Sequence, residues 1–372
     1  MRSYLLLIGI TFMTSYLLTP VLRVVGVRFM PKAPVRDRDF HRNPTPKLGG
    51  VAIIGGLYLG ILVASQISFF AGIFRSTESI QGVLIALGII LVMGVFDDLL
   101  DLRWWIKLIG QVAVGLVIVR HGILLKALPV GSLQIESPMV QVVVTVLIIV
   151  GTMNAINFVD GLDGLAAGIS AIGAATFFVY SYLLATRVSA EDNANFSALL
   201  CAVLLGATLG FLPHNFQPAS IFMGETGVLA IGMLFAVATL AVTGDVLGED
   251  AFRFRNVPAF MPVILPVAVI VLPYVDLLLS VIRRTANRRS PFSADRGHIH
   301  HRLVDLGHSA RAVVIILYLW ALLVASGVVV ISLTNRKIAI PLYVAAFVCV
   351  TLVTWWPLLK RARGRAPAPG EN

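Results

Sequence analysis

Long apolar runs separated by short polar links dominate the pattern of hydrophobic and polar positions along the chain. A bilayer-spanning helix needs about 20 mostly apolar residues, within a range of roughly 17–25. Eleven stretches are read as spans, the shortest, Trp105 to Val119, falling just below that range: Tyr4 to Arg28, Leu48 to Phe70, Ile80 to Phe96, Trp105 to Val119, Pro138 to Ala155, Leu165 to Ala185, Asn195 to Leu212, Gly227 to Thr243, Pro258 to Ile282, Ala312 to Ser332 and Ile338 to Leu359. Pro20, Pro266 and Pro273 fall inside spans, where neighbouring helices can satisfy the backbone groups they release. The first stretch reads as a retained helix and not a cleaved leader, because it is too long and no small-residue cleavage site follows it. The longest gap between spans is about 30 residues, too short for a soluble domain. The pattern therefore predicts an all-α, polytopic transmembrane bundle of about 11 helices, forming a single integral-membrane domain over 1–359, with 360–372 as a basic, disordered tail.

Composition agrees. Of 372 residues 58% are apolar and 13% charged, against about 45–50% and 25% in soluble domains. This excludes a soluble enzyme, a disordered chain and a coiled coil. Only two cysteines, Cys201 and Cys349, are present, both inside apolar runs, so a disulfide scaffold is excluded too. The net charge of +10 would suggest nucleic acid in a soluble protein. In so apolar a chain it points instead to an anionic membrane surface or a phosphate-bearing substrate.

Lysine and arginine orient the bundle. The links that share a face with the C-terminus, together with the tail, carry 19 of these residues, the opposite face carries nine, and Arg23 lies in a helix. The expected topology has the N-terminus outside and the C-terminus cytoplasmic. On the same assignment eleven acids are cytoplasmic, seven are outside, and Asp276 falls in the ninth span. Most of the cytoplasmic acids sit in short clusters at helix ends. Carboxylates at a membrane edge are costly unless paired or metal-bound, so they mark a functional site.

Five clusters carry the chemistry. Asp97 and Asp98 are adjacent and followed by Asp101; adjacent carboxylates stay ionised most readily beside a cation, and Mg²⁺ takes one or two carboxylates while leaving room for substrate phosphates. A helix end with solvated acids describes that cluster equally well. Asn154, Asn157, Asp160 and Asp163 recur every three residues, a spacing that on a helix stacks them along one drifting stripe. Gly161, Gly164 and Gly168 there suit close approach of a backbone or ligand; a glycine-lubricated helix pair with amide hydrogen bonds between helices accounts for the glycines and asparagines but not for the two acids. The link from Pro213 to Gly227 holds Asn215, Phe222 and Glu225, and a lone phenylalanine there also suits plain packing. A basic loop holds Asp295, Arg296, His298, His300, His301 and Arg302, a set better suited to phosphate than to zinc. Ahead of the second span come His41, Arg42 and Lys47, with Pro44, Pro46, Gly49 and Gly50. Charge counting alone set the topology, and it puts all five clusters on one face.

In this order the five segments resemble the polyprenyl-phosphate N-acetylhexosamine-1-phosphate transferase family, and within it the bacterial WecA-type branch. The resemblance covers essentially the whole chain, and its most specific part is Asn154-Ala155-Ile156-Asn157-Phe158-Val159-Asp160-Gly161-Leu162-Asp163-Gly164. It implies transfer of a sugar-1-phosphate, most commonly GlcNAc-1-phosphate, from a UDP-sugar to a membrane polyprenyl phosphate, with release of UMP and a need for Mg²⁺ or Mn²⁺. It implies Asp97, Asp98 and Asp160 as catalytic residues, Asp97 deprotonating or positioning the lipid phosphate. Asp98, Asp160 and Glu225 would hold the metal. Asn157, Asp163, Asn215 and Phe222 would line the nucleotide pocket, with Phe222 stacking on uracil. His298, His300, His301 and Arg302 would hold the diphosphate, and His41, Arg42 and Lys47 would lie on the lipid-phosphate side. The implied partners are the UDP-sugar, the polyprenyl phosphate and membrane lipid, with no nucleic acid; a homodimer is compatible. The implied location is a bacterial plasma membrane with a cytoplasmic active site. One position departs from the family: its usual Met-Gly-Asp-x-Gly-Ser reads Met223-Gly224-Glu225-Thr226-Gly227-Val228, which sets the carboxylate one methylene further out.

Three other readings compete. A phospho-MurNAc-pentapeptide transferase usually shows three adjacent histidines where this chain has His298, His300 and His301. An ion-coupled transporter requires ionisable residues along a transmembrane path and an inverted repeat, whereas the acids here gather at one face. A non-catalytic relative rests on Glu225 alone.

Overall fold

The computed structural model describes residues 1–29, 45–75, 77–126, 135–187, 192–246, 303, 306–333 and 336–363. Every regular element among them is helical: α1 (Arg2–Phe29), α2 (Gly49–Ser65), a 3₁₀ turn (Ser68–Phe70), α3 (Ala71–Arg75), α4 (Thr77–Leu100), α5 (Trp104–Arg120), α6 (Pro138–Val159), α7 (Leu165–Arg187), α8 (Asp192–Asn215), α9 (Gly224–Val246), α10 (Ala310–Leu333) and α11 (Arg336–Arg363). Eight of these helices are long and apolar enough to cross a membrane, and a bent pair raises the number to nine. The protein is thus a polytopic helical membrane protein. The expected span 258–282 lies outside the described residues. So does most of the expected tail, whose first residues continue α11 as far as Arg363.

The bent pair corrects the expected span Leu48–Phe70. Helix α2 stops at Ser65, and the segment Ser68–Arg75 leaves it at 90°. Two polar side chains sit at the break: Ser65 Oγ donates back to the Leu62 carbonyl at 2.7 Å, and Gln66 follows. Such local bonds compete with continuation of the helix. The turned segment is then anchored by Phe70, which is buried edge-on against Tyr4 with ring centroids 5.0 Å apart.

Helix α9 is the axis of the bundle. It is apolar on every side, so no face of it suits water, and nearly all of it is buried against α2, α4, α6 and α8. Small residues let its neighbours close on its first turn. A Cβ on Gly50 of α2 would strike the backbone of Gly227, and one on Gly94 of α4 would strike Thr226. Helix α11, by contrast, packs mainly on α10 and leaves most of its surface exposed, as a lipid-facing helix does. The result is that the beginnings of α2, α5 and α9 and the ends of α4, α6 and α8 meet at one end of the bundle.

Candidate active site

Helix α4 runs past its apolar stretch to Leu100, so Asp97 and Asp98 lie in its last turn. Asp101, with φ of 52°, ends the helix, and its N–H returns to the Asp97 carbonyl at 2.8 Å. The paired acids then point to different partners. Asp98 Oδ1 accepts the Glu225 N–H at 2.9 Å, and Oδ2 accepts the Thr226 hydroxyl at 2.9 Å. A carboxylate from α4 thereby caps the N-terminus of α9, where unpaired N–H groups and the positive end of the helix dipole favour an anion. Asp97 is 6% exposed; its Oδ1 accepts the Leu102 N–H at 2.8 Å and its Oδ2 lies 2.8 Å from Lys107 Nζ.

Lys107 joins the cluster. The same ammonium reaches Glu225 Oε1 at 3.0 Å, and Asn157 of α6 donates to both Glu225 oxygens at 3.0 and 2.9 Å. Glu225 is therefore gripped by α5 on one side and α6 on the other. Asp97, Asp98, Lys107, Asn157 and Glu225 form one connected network across four helices. Sequence reasoning counted Lys107 only as a positive charge on the inside face. Its signal was available: it is the only cation between Trp104 and Val119, in the first turn of an apolar helix whose one other charge is Arg120 in the last turn.

The Asn/Asp repeat does not form one helical stripe, which corrects that expectation. Asn154 and Asn157 are helical, α6 ends at Val159, and Asp160 is its C-cap. Residues 160–164 form an irregular turn that Gly164, with φ of 77°, allows to close before α7 starts. Asp160 stays beside the other acids. Burial first, then the charges of Glu225, Asp98 and Asp163, raise its carboxyl from 3.8 to about 7, with Lys47 opposing. Asp163 turns the other way, and its Oδ2 accepts the Ala219 N–H at 2.9 Å.

The link between α8 and α9 forms the opposite wall. Asn215 is 2% exposed. Its Oδ1 accepts the Gly164 N–H at 3.0 Å, and its Nδ2 donates to the Ile221 carbonyl at 2.9 Å. It ties the wall to the 160–164 turn. Half-buried Phe222 is fixed through its backbone: its N–H meets the Pro46 carbonyl at 2.8 Å, and its carbonyl accepts the Gly49 N–H at 2.9 Å. Next to it, Gly50 N–H donates to the Met223 carbonyl at 2.7 Å. Lys47 is thereby held at the rim with its side chain exposed. Gly224, with φ of 70°, lies where a Cβ would collide with both the Lys47 carbonyl and the Asp98 carboxylate. Between α5 and α6 lies a cavity of about 190 Å³ lined by Trp104, Lys107, Leu108, Gln111, Asn154 and Asn157.

The model for the family described as Glycosyl transferase family 4 matches residues 80–243. The chain is also 37% identical, over 98% of its length and 91% of the relative's, to a decaprenyl-phosphate N-acetylglucosaminephosphotransferase of Mycolicibacterium smegmatis. The chain belongs to glycosyl transferase family 4. A Mycobacterium tuberculosis protein of the same description is 37% identical over 96% of this chain and 90% of the relative. A probable undecaprenyl-phosphate N-acetylglucosaminyl 1-phosphate transferase of Bacillus subtilis is 29% identical over 95% and 90%. In this family 4 chain the matched segment contains every site residue described above except those of the 45–50 segment. His41, Arg42, His298, His300, His301 and Arg302 lie outside the described residues.

No group of three His, Cys, Asp or Glu side chains among the described residues converges into a ready-made metal cage. The donor set nonetheless fits Mg²⁺. That ion is usually held by one or two carboxylates plus substrate phosphates, keeping several waters. Asp160 sits beside the charges of Glu225, Asp98 and Asp163, with Lys47 opposing them, and a cation would relieve that repulsion.

Proposed function

We propose that this protein transfers N-acetylglucosamine-1-phosphate from UDP-GlcNAc to a polyprenyl phosphate, releasing UMP and starting a cell-envelope glycopolymer. The observation that carries the reading is the network joining Asp97, Asp98, Lys107, Asn157 and Glu225 at one end of a membrane bundle, in a chain of this family. Both substrates are anionic. One comes from water and one from the bilayer, so a charged site at helix ends is where they can meet. The apolar runs support eleven spans, and the charge bias supports an outside N-terminus and a site on the cytoplasmic face of a bacterial plasma membrane.

In the reaction an oxygen of the lipid phosphate attacks the β-phosphorus of the UDP-sugar. The bond from that phosphorus to the bridging oxygen breaks, and UMP leaves with the bridge electrons. Asp97 accepts the proton of the lipid phosphate at Oδ2, the oxygen now beside Lys107. Lys107, once shared with substrate, donates to phosphate oxygens and offsets their charge. Phe222 offers its ring to the uracil, and Asp163, on the 160–164 turn, contacts the nucleotide. Asn215 holds those two segments in register. Asp98, Asp160 and Glu225 would hold Mg²⁺, or Mn²⁺ in its place, which when bound screens the diphosphate and stabilises the leaving group.

The test is UMP release and labelled lipid product in membranes containing the chain, given UDP-GlcNAc and undecaprenyl or decaprenyl phosphate. Activity that requires both substrates and is abolished in Asp97→Asn and Asp160→Asn supports the reading. Undiminished turnover in those variants would overturn the assigned roles, and product only from a UDP-MurNAc-pentapeptide donor would move the chain to the muramoyl branch.

A further inference from the structure

One helical turn from the charged network lies a second polar contact between the same two helices. Gln111 follows Lys107 by four residues on α5, and Asn154 precedes Asn157 by three on α6, so each pair shares a helix face. Asn154 Nδ2 donates to Gln111 Oε1 at 2.6 Å and also to the Val150 carbonyl at 2.8 Å. Gln111 is 3% exposed. The two helices are thus joined by two rungs: Lys107–Glu225–Asn157 above and Gln111–Asn154 below.

We propose that Gln111 and Asn154 are positioning residues, holding α5 and α6 at the separation from which Lys107 and Asn157 both reach Glu225. The inference rests on the transferase reading above. Amide hydrogen bonds join membrane helices in general; what distinguishes this one is its place one turn from the charged network. Adhesion is available elsewhere: further along the interface Gly115 packs against Val146 with no polar group involved, a Cβ at Gly115 falling 3.2 Å from Val146. The amide pair occurs instead where the helices border the cavity of about 190 Å³. Among the described residues, the amide bond is the direct side-chain link between α5 and α6 at this level, so it fixes their spacing beside the charged network. An error of about 1 Å in placing a reacting group can cost on the order of 100-fold in rate, and the lower rung prevents such an error in Lys107.

Steady-state kinetics of the full chain in detergent, with thermal unfolding recorded alongside, test this. Gln111→Leu should lower kcat by about 10- to 100-fold, the range for residues that orient a first layer of ligands, while the KM for the UDP-sugar stays unchanged. The exchanged pair Gln111→Asn/Asn154→Gln conserves the combined side-chain length and should recover most of that kcat. If the leucine variant does not fold, Gln111→Asn alone supplies the loss to be rescued. An unchanged kcat in the single variants, or an exchanged pair no better than they are, would overturn the proposal. A wild-type chain that forms no lipid product would overturn the transferase reading itself.

Discussion

Asn157 donates to both carboxylate oxygens of Glu225, at 3.0 and 2.9 Å, so an amide on α6 holds the first turn of α9 by its side chain. With Lys107 on the same carboxylate at 3.0 Å and Asp98 on the Glu225 N–H at 2.9 Å, this residue is held at both ends by three other helices. The extra methylene of glutamate matters in this arrangement, because reach is what lets one carboxylate span from α9 to both α5 and α6. A cation drawing on Glu225 must compete with bonds that are already made.

Shortening that side chain should therefore tighten metal binding. In Glu225→Asp the carboxylate retracts from Lys107 and Asn157, and those contacts no longer need to be released. For partly exposed groups the release is worth on the order of 1 kcal/mol, or about fivefold in affinity. Titration of the substrate-free chain with Mn²⁺ by electron paramagnetic resonance measures it. Weaker Mn²⁺ binding in the variant would mean that glutamate reaches the cation better than aspartate does.

Removing the ammonium should be more damaging than removing either bond to it. Lys107→Met leaves Asp97, buried at 6% exposure, without its counter-ion, and takes one of the two holds off Glu225. Stripping one partner from a largely buried pair leaves an uncompensated charge. The expected outcome is at least about a 100-fold loss of UMP release, with a lower unfolding temperature. Lys107→Arg keeps the charge but not the geometry of a compact ammonium, and should fall between the two.

Much of this was legible in the sequence. Runs such as Ile80 to Phe96 and Asn195 to Leu212 became α4 and α8 because apolar length is a local property. Counting charges by face also grouped Asp97, Asp160 and Glu225 before any distance was known. What stayed hidden depends on packing between distant segments. The segment turned after Ser65 is anchored by Phe70 meeting the distant Tyr4, and Lys107 looks like an ordinary inside charge until α5 is placed beside α9. The three-residue repeat from Asn154 to Asp163 misled for a different reason: its spacing suits a helix, but Asp160 caps α6 and Gly164 turns the chain.

Asn215 offers a way to separate scaffold from substrate contact. Both ends of its amide are committed to backbone groups in a nearly sealed position. Asn215→Ala orphans the Gly164 N–H and the Ile221 carbonyl, at about 1–3 kcal/mol for a buried unsatisfied group. The unfolding temperature should fall, and the KM for the UDP-sugar should rise because Phe222 and the 160–164 turn lose their register. A KM that rises with no change in stability would instead make Asn215 a direct nucleotide contact.

Asp160 should make metal binding pH-dependent with a definite sign. Its carboxyl is raised from 3.8 to about 7, by burial first and then by Glu225, Asp98 and Asp163. A raised carboxyl favours the protonated form in the folded state, so without a cation the fold loses stability as pH climbs from about 4 to 7 and this group ionises. A divalent cation binds the ionised form and must displace the proton below the raised value. Affinity for Mn²⁺ should therefore fall by up to about tenfold for each unit of pH below 7, and level off above it. Isothermal titration of the substrate-free chain across pH 5.5 to 8.5 should show that slope in the wild type and lose it in Asp160→Asn. A slope that persists undiminished in the variant would assign the competing proton to another group.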